Sequence, residues 1–227
     1  MPGCSFPVPS APPVIFLKAE PSDRFTSIGI DNVEAARVAT RHLVSLGRRR
    51  IAHLAGPLAW REARDRRDGW LAALAEAGLE PGPMAAGDWE ASSGNAAFAQ
   101  ILEADPAVDG LFVASDQMAL GALHVANARG LRIPDQLAVV GFDGLPEAAE
   151  FTPSLTTMRQ PLTEIGRMAV SELVASLRAE HPPVARTVLL PTTMLLGDSA
   201  PLPSDAAGSV PGVVPAVRPR PVTAAPS

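Results

Sequence analysis

The sequence predicts an α/β protein built on a doubly wound parallel sheet, and three observations lead there. Short apolar runs alternate with amphipathic helical stretches between residues 14 and 198, the pattern of a parallel sheet covered by helices. Helix-starting and helix-stopping residues punctuate that alternation at the expected places. A hydrophobic content of 47% over 227 residues is enough to build a substantial core.

Residues 14–17 and 27–30 read as strands. Asp31 then caps a helix, with Glu34 three residues on in a capping-box arrangement, and Gly47 ends it. Residues 51–55 form the next buried strand, followed by a helix over about 59–77 that stops at Gly78. A further helix covers roughly 93–104. Residues 110–114 are a strand that leads directly into a helix over 116–129, closed by Gly130, and 137–142 are another buried strand. Pro161 suits the first turn of a helix reaching about Arg178, because its missing donor is unpaired there anyway. Residues 188–190 return as a strand. No repeat at a fixed period is present, which removes solenoids.

Proline is concentrated at the ends: of 24 prolines, five lie in residues 1–13 and seven in residues 201–227. Both ends are therefore expected to be disordered, because proline denies the backbone its donors and the tail has little to bury. A net charge of -5 argues against a surface that neutralises phosphates, so direct nucleic-acid binding by this polypeptide is disfavoured. Cys4 is the only cysteine, which rules out an intrachain disulfide and a cysteine-based zinc site and suits a reducing, cytoplasmic setting. The opening MPGCSFPVPSAPP has neither a basic region nor an apolar run of signal-peptide type, and no apolar run approaches the length of a membrane span.

In open α/β sheets, ligands sit beyond the carboxyl ends of the strands, so the polar residues that follow each strand are the candidates. Arg64 and Arg66 follow the strand at 51–55, Ser115 and Asp116 follow 110–114, and Asp143 follows 137–142. Trp89, in the loop Gly87-Asp88-Trp89-Glu90, adds an aromatic face. Arginine and aspartate grip adjacent hydroxyls bidentately, and an aromatic ring packs on the C–H face of a sugar. Taken singly, an arginine on a helix is more often a solvated charge and a loop tryptophan more often core. Their joint position at strand ends is what points to a site. Asp116 at a strand-to-helix junction reads as a helix cap. His42, His53, His124 and His181 are scattered without metal-ligand spacing, and His53, inside a buried strand, reads as a satisfied core residue. No Ser/His/Asp arrangement or phosphate-cradling loop is present, so neither catalysis nor a cofactor nor a metal is expected.

The runs LVSLGRRRIAHLAGP, RDRRDGW, LFVASDQMALGAL, GLRIPDQLAVVGFDG and PSLTTMRQPLTEIG, in this order and spacing, resemble the effector-binding core of the LacI/GalR transcription regulators across residues 14–198. The resemblance implies a type I periplasmic-binding-protein-like fold: two similar α/β lobes joined by crossing strands, with a ligand in the cleft between them. It implies that Arg66, three residues before Gly69, grips the ligand and that Asp143 accepts from sugar hydroxyls. Ser115 and Trp89 match further pocket positions, and Gln160 falls near the hinge and the inner pocket. It also implies a homodimer to which the helix over 116–129 contributes Leu120 and Leu123, with packing inside the core as the competing reading for both.

Carried onto this chain, the crossings fall near Ile30, Arg159 and Pro191. Residues 31–159 and 191–198 then form a complete C-terminal lobe, 14–30 and 160–190 a remnant of the N-terminal lobe, and 1–13 and 199–227 disordered ends. The chain departs from the family at its start, where no helix-turn-helix is found, so operator DNA is expected to be reached only through a domain outside this sequence. The helix over 161–178 should consequently lack part of the sheet it covers, although Leu162, Ile165, Met168, Ala169, Leu173 and Leu177 follow helical spacing and call for burial. Lys18 stands where a family member carries a ligand-contacting carboxylate. It either suits a phosphorylated or acidic sugar or is an exposed lysine. The functional expectation is a cytoplasmic effector sensor that binds a small sugar or sugar derivative and controls operator binding allosterically. The alternatives are a sugar-binding protein of transport and a nonfunctional remnant of a regulator.

Overall fold

The computed structural model describes residues 13–18, 24–179, 184–202 and 213–215. The expectations for Cys4, His181 and most of the two proline-rich ends lie outside the described residues. The chain divides into two compact units, Met1–Ile30 with Pro161–Pro191, and Asp31–Gln160 with Thr192–Ser227.

In the first unit, β1 (Ile15–Leu17), β2 (Thr26–Ile30) and β8 (Thr187–Leu190) form a three-stranded parallel sheet in the order β1-β2-β8. The helix α5 (Leu162–Arg178) packs on β1 and β2. Of its apolar residues only Ile165 is buried, while Leu162, Val170, Val174 and Leu177 are exposed. A three-stranded sheet is too narrow to cover the apolar stripe that the helical spacing lays down.

The second unit holds β3 (Ile51–Ala55), β4 (Met84–Ala86), β5 (Gly110–Val113), β6 (Ala138–Asp143), β7 (Thr156–Arg159), β9 (Thr193–Leu196) and β10 (Val213–Pro215) in one sheet ordered β10-β9-β7-β6-β5-β3-β4. From β4 to β7 every pair is parallel, and β9 runs antiparallel to β7. The sequence order of those parallel strands is second-first-third-fourth-fifth, a doubly wound arrangement whose direction of winding reverses between β3 and β5. Right-handed crossovers then place α1 (Asn32–Ser45) and α2 (Arg61–Glu76) on one face, and α3 (Ala91–Ala104) and α4 (Asp116–Ala128) on the other.

The two faces are filled by alternate residues of the same strands. Leu111 and Val113 of β5 join Phe98, Ile101 and Met118 under α3 and α4. Phe112, between them, turns the other way to stack on His53 at 4.9 Å, and His53 in turn stacks on Trp70 of α2 at 5.3 Å. Asp31 caps α1 by accepting from the Glu34 amide at 2.9 Å, as its spacing predicts.

Helices α3 and α4 cross so closely that a Cβ on Gly121 would lie 1.9 Å from the Ala91 carbonyl oxygen. That backbone cannot retreat without opening the core, so Gly121→Ala is expected to cost about 1–3 kcal/mol in chemical denaturation. A midpoint equal to that of the unaltered protein would show that the crossing is looser than described.

Several expectations need correction. The tail does not begin at residue 199: Ser199 and Ala200 are fully buried, and Ser199 Oγ accepts from the Thr156 amide and donates to the Val139 carbonyl. Leu123 lies in the core cluster, so it is unavailable to a dimer interface, whereas Leu120, one face round the helix, is 43% exposed. His53 is only half satisfied: Nδ1 bonds the Phe112 carbonyl at 3.0 Å and Nε2 has no partner among the described residues. Ser115, not Asp116, caps α4.

Candidate functional site

The carboxyl ends of β3, β5 and β6 gather one cluster around Arg66. This side chain leaves α2 pointing into the protein and is only 4% exposed. Its Nε donates to Asn32 Oδ1 at 3.0 Å and Nη1 to the Ala114 carbonyl, just past β5, at 2.5 Å. The guanidinium carbon lies 3.7 Å from the centre of the Phe142 ring and 5.7 Å from that of Trp89. Burial is the largest influence on this guanidinium and pulls its pKa down, while Asp143, Glu62, Asp116 and Asp65 oppose that pull. The planar fork is thus held in one orientation by two oxygen acceptors and an aromatic face.

Asp143 closes β6 with Oδ1 at 3.5 Å from Arg66 Nη1, and its side chain remains 28% exposed. Gln160 Nε2 donates to the same oxygen at 2.6 Å, while its own Oε1 is buried with no partner among the described residues. Asp143 sits at φ 115°, followed by Gly144 at φ 72°. At Gly144 a Cβ would meet the Arg159 backbone at 2.5 Å, so this turn requires glycine for space and for conformation.

Asp116 fastens that turn from below. Fully buried at the first position of α4, it accepts from Thr157 Oγ1 at 2.6 Å and from the Leu145 amide at 2.8 Å. Desolvation is the main cause that raises its pKa to about 7, with the two hydrogen bonds working against it and the charge of Asp143 adding to it. The missing Cβ of Gly141 leaves the room this carboxyl occupies.

Trp89, at φ 82°, lays its ring over Gly56, where any side chain would strike it: a Cβ there would lie 2.1 Å from the ring. Trp60 meets Trp89 edge to face, with centroids 6.3 Å apart. Ser115 is buried at the same strand end, and its Oγ accepts from the Met118 amide at 3.2 Å, so its acceptor role is taken by the helix cap.

One expected member of this unit turns away from Arg66. Arg64 donates through Nη1 to the carbonyls of Leu58 and Ala59, because two residues along a helix turn a side chain by about 200° and carry it away from Arg66. Lys18 belongs to the other unit, exposed at the end of β1 with φ 58°. Conversely, Asn32 and Phe142 are parts of the cluster that sequence reasoning passed over, while Asp116, a strand-end candidate that read as a helix cap, belongs to it too. The signal available for Asn32 was its place one residue after a strand-to-helix junction, where side chains face the strand ends.

This arrangement offers donors, one partly exposed carboxylate and an aromatic face, which suits an uncharged ligand rich in hydroxyl groups. Among the described residues no group of three His, Cys, Asp or Glu side chains could hold a metal ion, and no helix is long and apolar enough to cross a membrane.

The periplasmic binding protein-like domain family matches residues 40–200 of the chain. The HTH-type transcriptional regulator CelR of Thermobifida fusca is 37% identical over 171 residues, covering 74% of this chain and 50% of that protein. The lactose operon repressor of Escherichia coli strain K12 is 33% identical over 183 residues, 81% of this chain and 50% of the repressor. The chain therefore spans about half the length of the curated relatives it matches. Among solved structures, a complex of CelR with cellobiose superposes with a TM-score of 0.77 at 34% identity, covering 82% of this chain and 58% of that one.

Proposed function

Because this chain belongs to the periplasmic binding protein-like domain family, in its LacI-type regulator branch, we propose that it is the effector-sensing part of a sugar-responsive transcription regulator, not an enzyme. The observation that carries this reading is the joint placement of Arg66, Asp143, Gln160 and Trp89 at neighbouring strand ends. Asp143 accepts from ligand hydroxyls, the fixed guanidinium of Arg66 donates to ligand oxygens, and Trp89 covers a C–H face. Gln160 Oε1, buried and unpartnered among the described residues, is a ready acceptor for one further hydroxyl.

In the whole regulator, a ligand that binds one conformation more tightly than another shifts the equilibrium between them and so the affinity for operator DNA. The relatives are DNA-binding regulators, and a protein that meets operator DNA works in the cytoplasm. A homodimer fits this reading, since a lac repressor dimer bound to operator is among the structural neighbours, at TM-score 0.76 and 32% identity over 84% of this chain and 66% of that one. The exposed Leu120 on α4 is the residue offered for such an interface.

The test is titration calorimetry of the full chain against glucose, galactose, cellobiose and lactose. Asp143→Asn preserves an acceptor for Gln160 but removes the charge, and it is expected to weaken the binding sugar about 10- to 100-fold with the circular dichroism spectrum unchanged. Equal affinity for both proteins would remove Asp143 from the site.

A further inference from the structure

We propose that Trp60 is a second sugar subsite, so that the effector is a disaccharide or longer glycoside, with one ring on Trp89 and the adjoining ring on Trp60. This inference rests on the sugar-sensor reading and adds the size of the ligand to it.

Tryptophan carries a large apolar area that usually finds a place in a core or an interface, yet Trp60 is 57% exposed. It is also held in place rather than left on a loose loop. Its amide donates to the Pro57 carbonyl at 2.9 Å, its carbonyl accepts from the Arg64 amide at 3.3 Å, and its backbone enters α2 directly. Arg64 straps the preceding residues by donating to the carbonyls of Leu58 and Ala59 at 3.1 and 2.9 Å. Behind it, Arg61 and Asp65 pair at 3.2 Å across one turn. Arg64, a candidate by its position after β3, thus stiffens the loop that presents an aromatic ring.

The position of the ring gives it a purpose. Trp60 stands nearly perpendicular to Trp89, at 81°, with centroids 6.3 Å apart, and Trp89 is the ring that also faces Arg66. The two indoles form an aromatic corner, one wall of which faces Arg66 while the other is largely exposed. A single sugar ring bonded to Asp143 and stacked on Trp89 leaves Trp60 without work, whereas a second ring joined to the first reaches the outer wall of the corner. On its helix side the neighbours of Trp60 in sequence are the charged Arg61, Glu62, Arg64 and Asp65, so the ring stands beside polar groups that a sugar's hydroxyls can meet. Rigid aromatic platforms beside hydrogen-bonding groups are what sugars require, since preorganisation limits the entropy lost on binding.

The test compares matched pairs, glucose with cellobiose and galactose with lactose, by titration calorimetry of the full chain and of Trp60→Ala and Trp60→Phe. In the unaltered protein the disaccharide of the recognised pair is expected to bind about tenfold tighter than its monosaccharide. Trp60→Ala should erase that difference, the disaccharide losing affinity until it binds no tighter than the monosaccharide, and Trp60→Phe should restore most of it. Equal affinity of the two members in the unaltered protein, or a difference that survives in Trp60→Ala, overturns the subsite and leaves the sensor reading standing. Binding of none of the four sugars overturns the sensor reading and the subsite together.

Discussion

Arg66→Ala is expected to abolish measurable sugar binding and to destabilise the second unit by about 3–5 kcal/mol in urea denaturation. The size follows from what the truncation leaves behind. Asn32 Oδ1 and the Ala114 carbonyl each lose a donor in a largely buried region, and Asp143 loses the guanidinium 3.5 Å away. Removing one member of a buried, hydrogen-bonded charge cluster strands the others, which costs far more than breaking a surface ion pair. Phe142, which lies against the guanidinium, would border an empty volume as well. Arg66→Lys separates the two effects. A lysine keeps the positive charge near Asp143 but has no planar fork, so it cannot bond Asn32, Ala114 and a ligand together. It should retain much of the stability and still lose at least about tenfold in affinity. A stability loss below about 1 kcal/mol for Arg66→Ala, the range of solvent-exposed pairs, would show that water reaches this side chain.

The second large effect concerns pH, where two buried groups act in opposite senses. His53, buried and stacked between Trp70 and Phe112, has its pKa lowered from 6.5 to about 4, chiefly by desolvation. The unfolded chain therefore binds the proton more readily, and the contribution of His53 to stability rises with pH between about 4 and 6.5. Asp116 is raised from 3.8 to about 7, again chiefly by desolvation, so the folded protein holds its proton where the unfolded chain has released it. Its contribution therefore falls as pH rises through the same window and is constant above it. Other groups titrate there too, including His42, which burial also depresses, so differences from the unaltered protein are the informative quantity.

Measured from pH 4 to pH 7, Asp116→Asn should gain stability relative to the unaltered protein as pH rises, while His53→Gln should lose it. Two difference curves of the same slope, or two flat ones, would contradict the buried placement of these groups. Asp116 also links this titration to the site, because the turn it holds carries Asp143.

Much of the fold was legible because its strands are continuous apolar runs bounded by helix caps and glycines. Residues 51–55 and 110–114 read as strands from composition alone, and β3 and β5 occupy them. The strand β7 was not legible: its sequence is Thr-Thr-Met-Arg, and Thr156 and Thr157 are buried only because their hydroxyls find Gly197, Ala200 and Asp116 in three dimensions. The strand β4 has only three residues on the sheet edge, too few to show an alternation.

Within the cluster, position after a strand picked out Arg66 and Asp143, because the doubly wound topology converts that position into proximity, while Trp89 was chosen as an aromatic loop residue. The same argument admitted Arg64, whose guanidinium instead donates to the Leu58 and Ala59 carbonyls, since it considered distance along the chain and not the angle around the helix. It also passed over Phe142 and Asn32: a strand phenylalanine looks like core, and a residue beside a capping aspartate looks like helix. Leu123 shows the limit of helical spacing, which places it near Leu120 but cannot say which of the two faces water.

The three tryptophans offer the most direct test, because they report from different places. Trp89 faces Arg66 in the strand-end cluster, whereas Trp70 is buried against His53 in the core. In a nitrogen–proton correlation spectrum of the full chain, titration with the binding sugar should shift the Trp89 indole signal saturably and leave that of Trp70 in place. Saturable binding that leaves the Trp89 signal unmoved would contradict the assignment of the strand-end cluster as the place where the sugar binds.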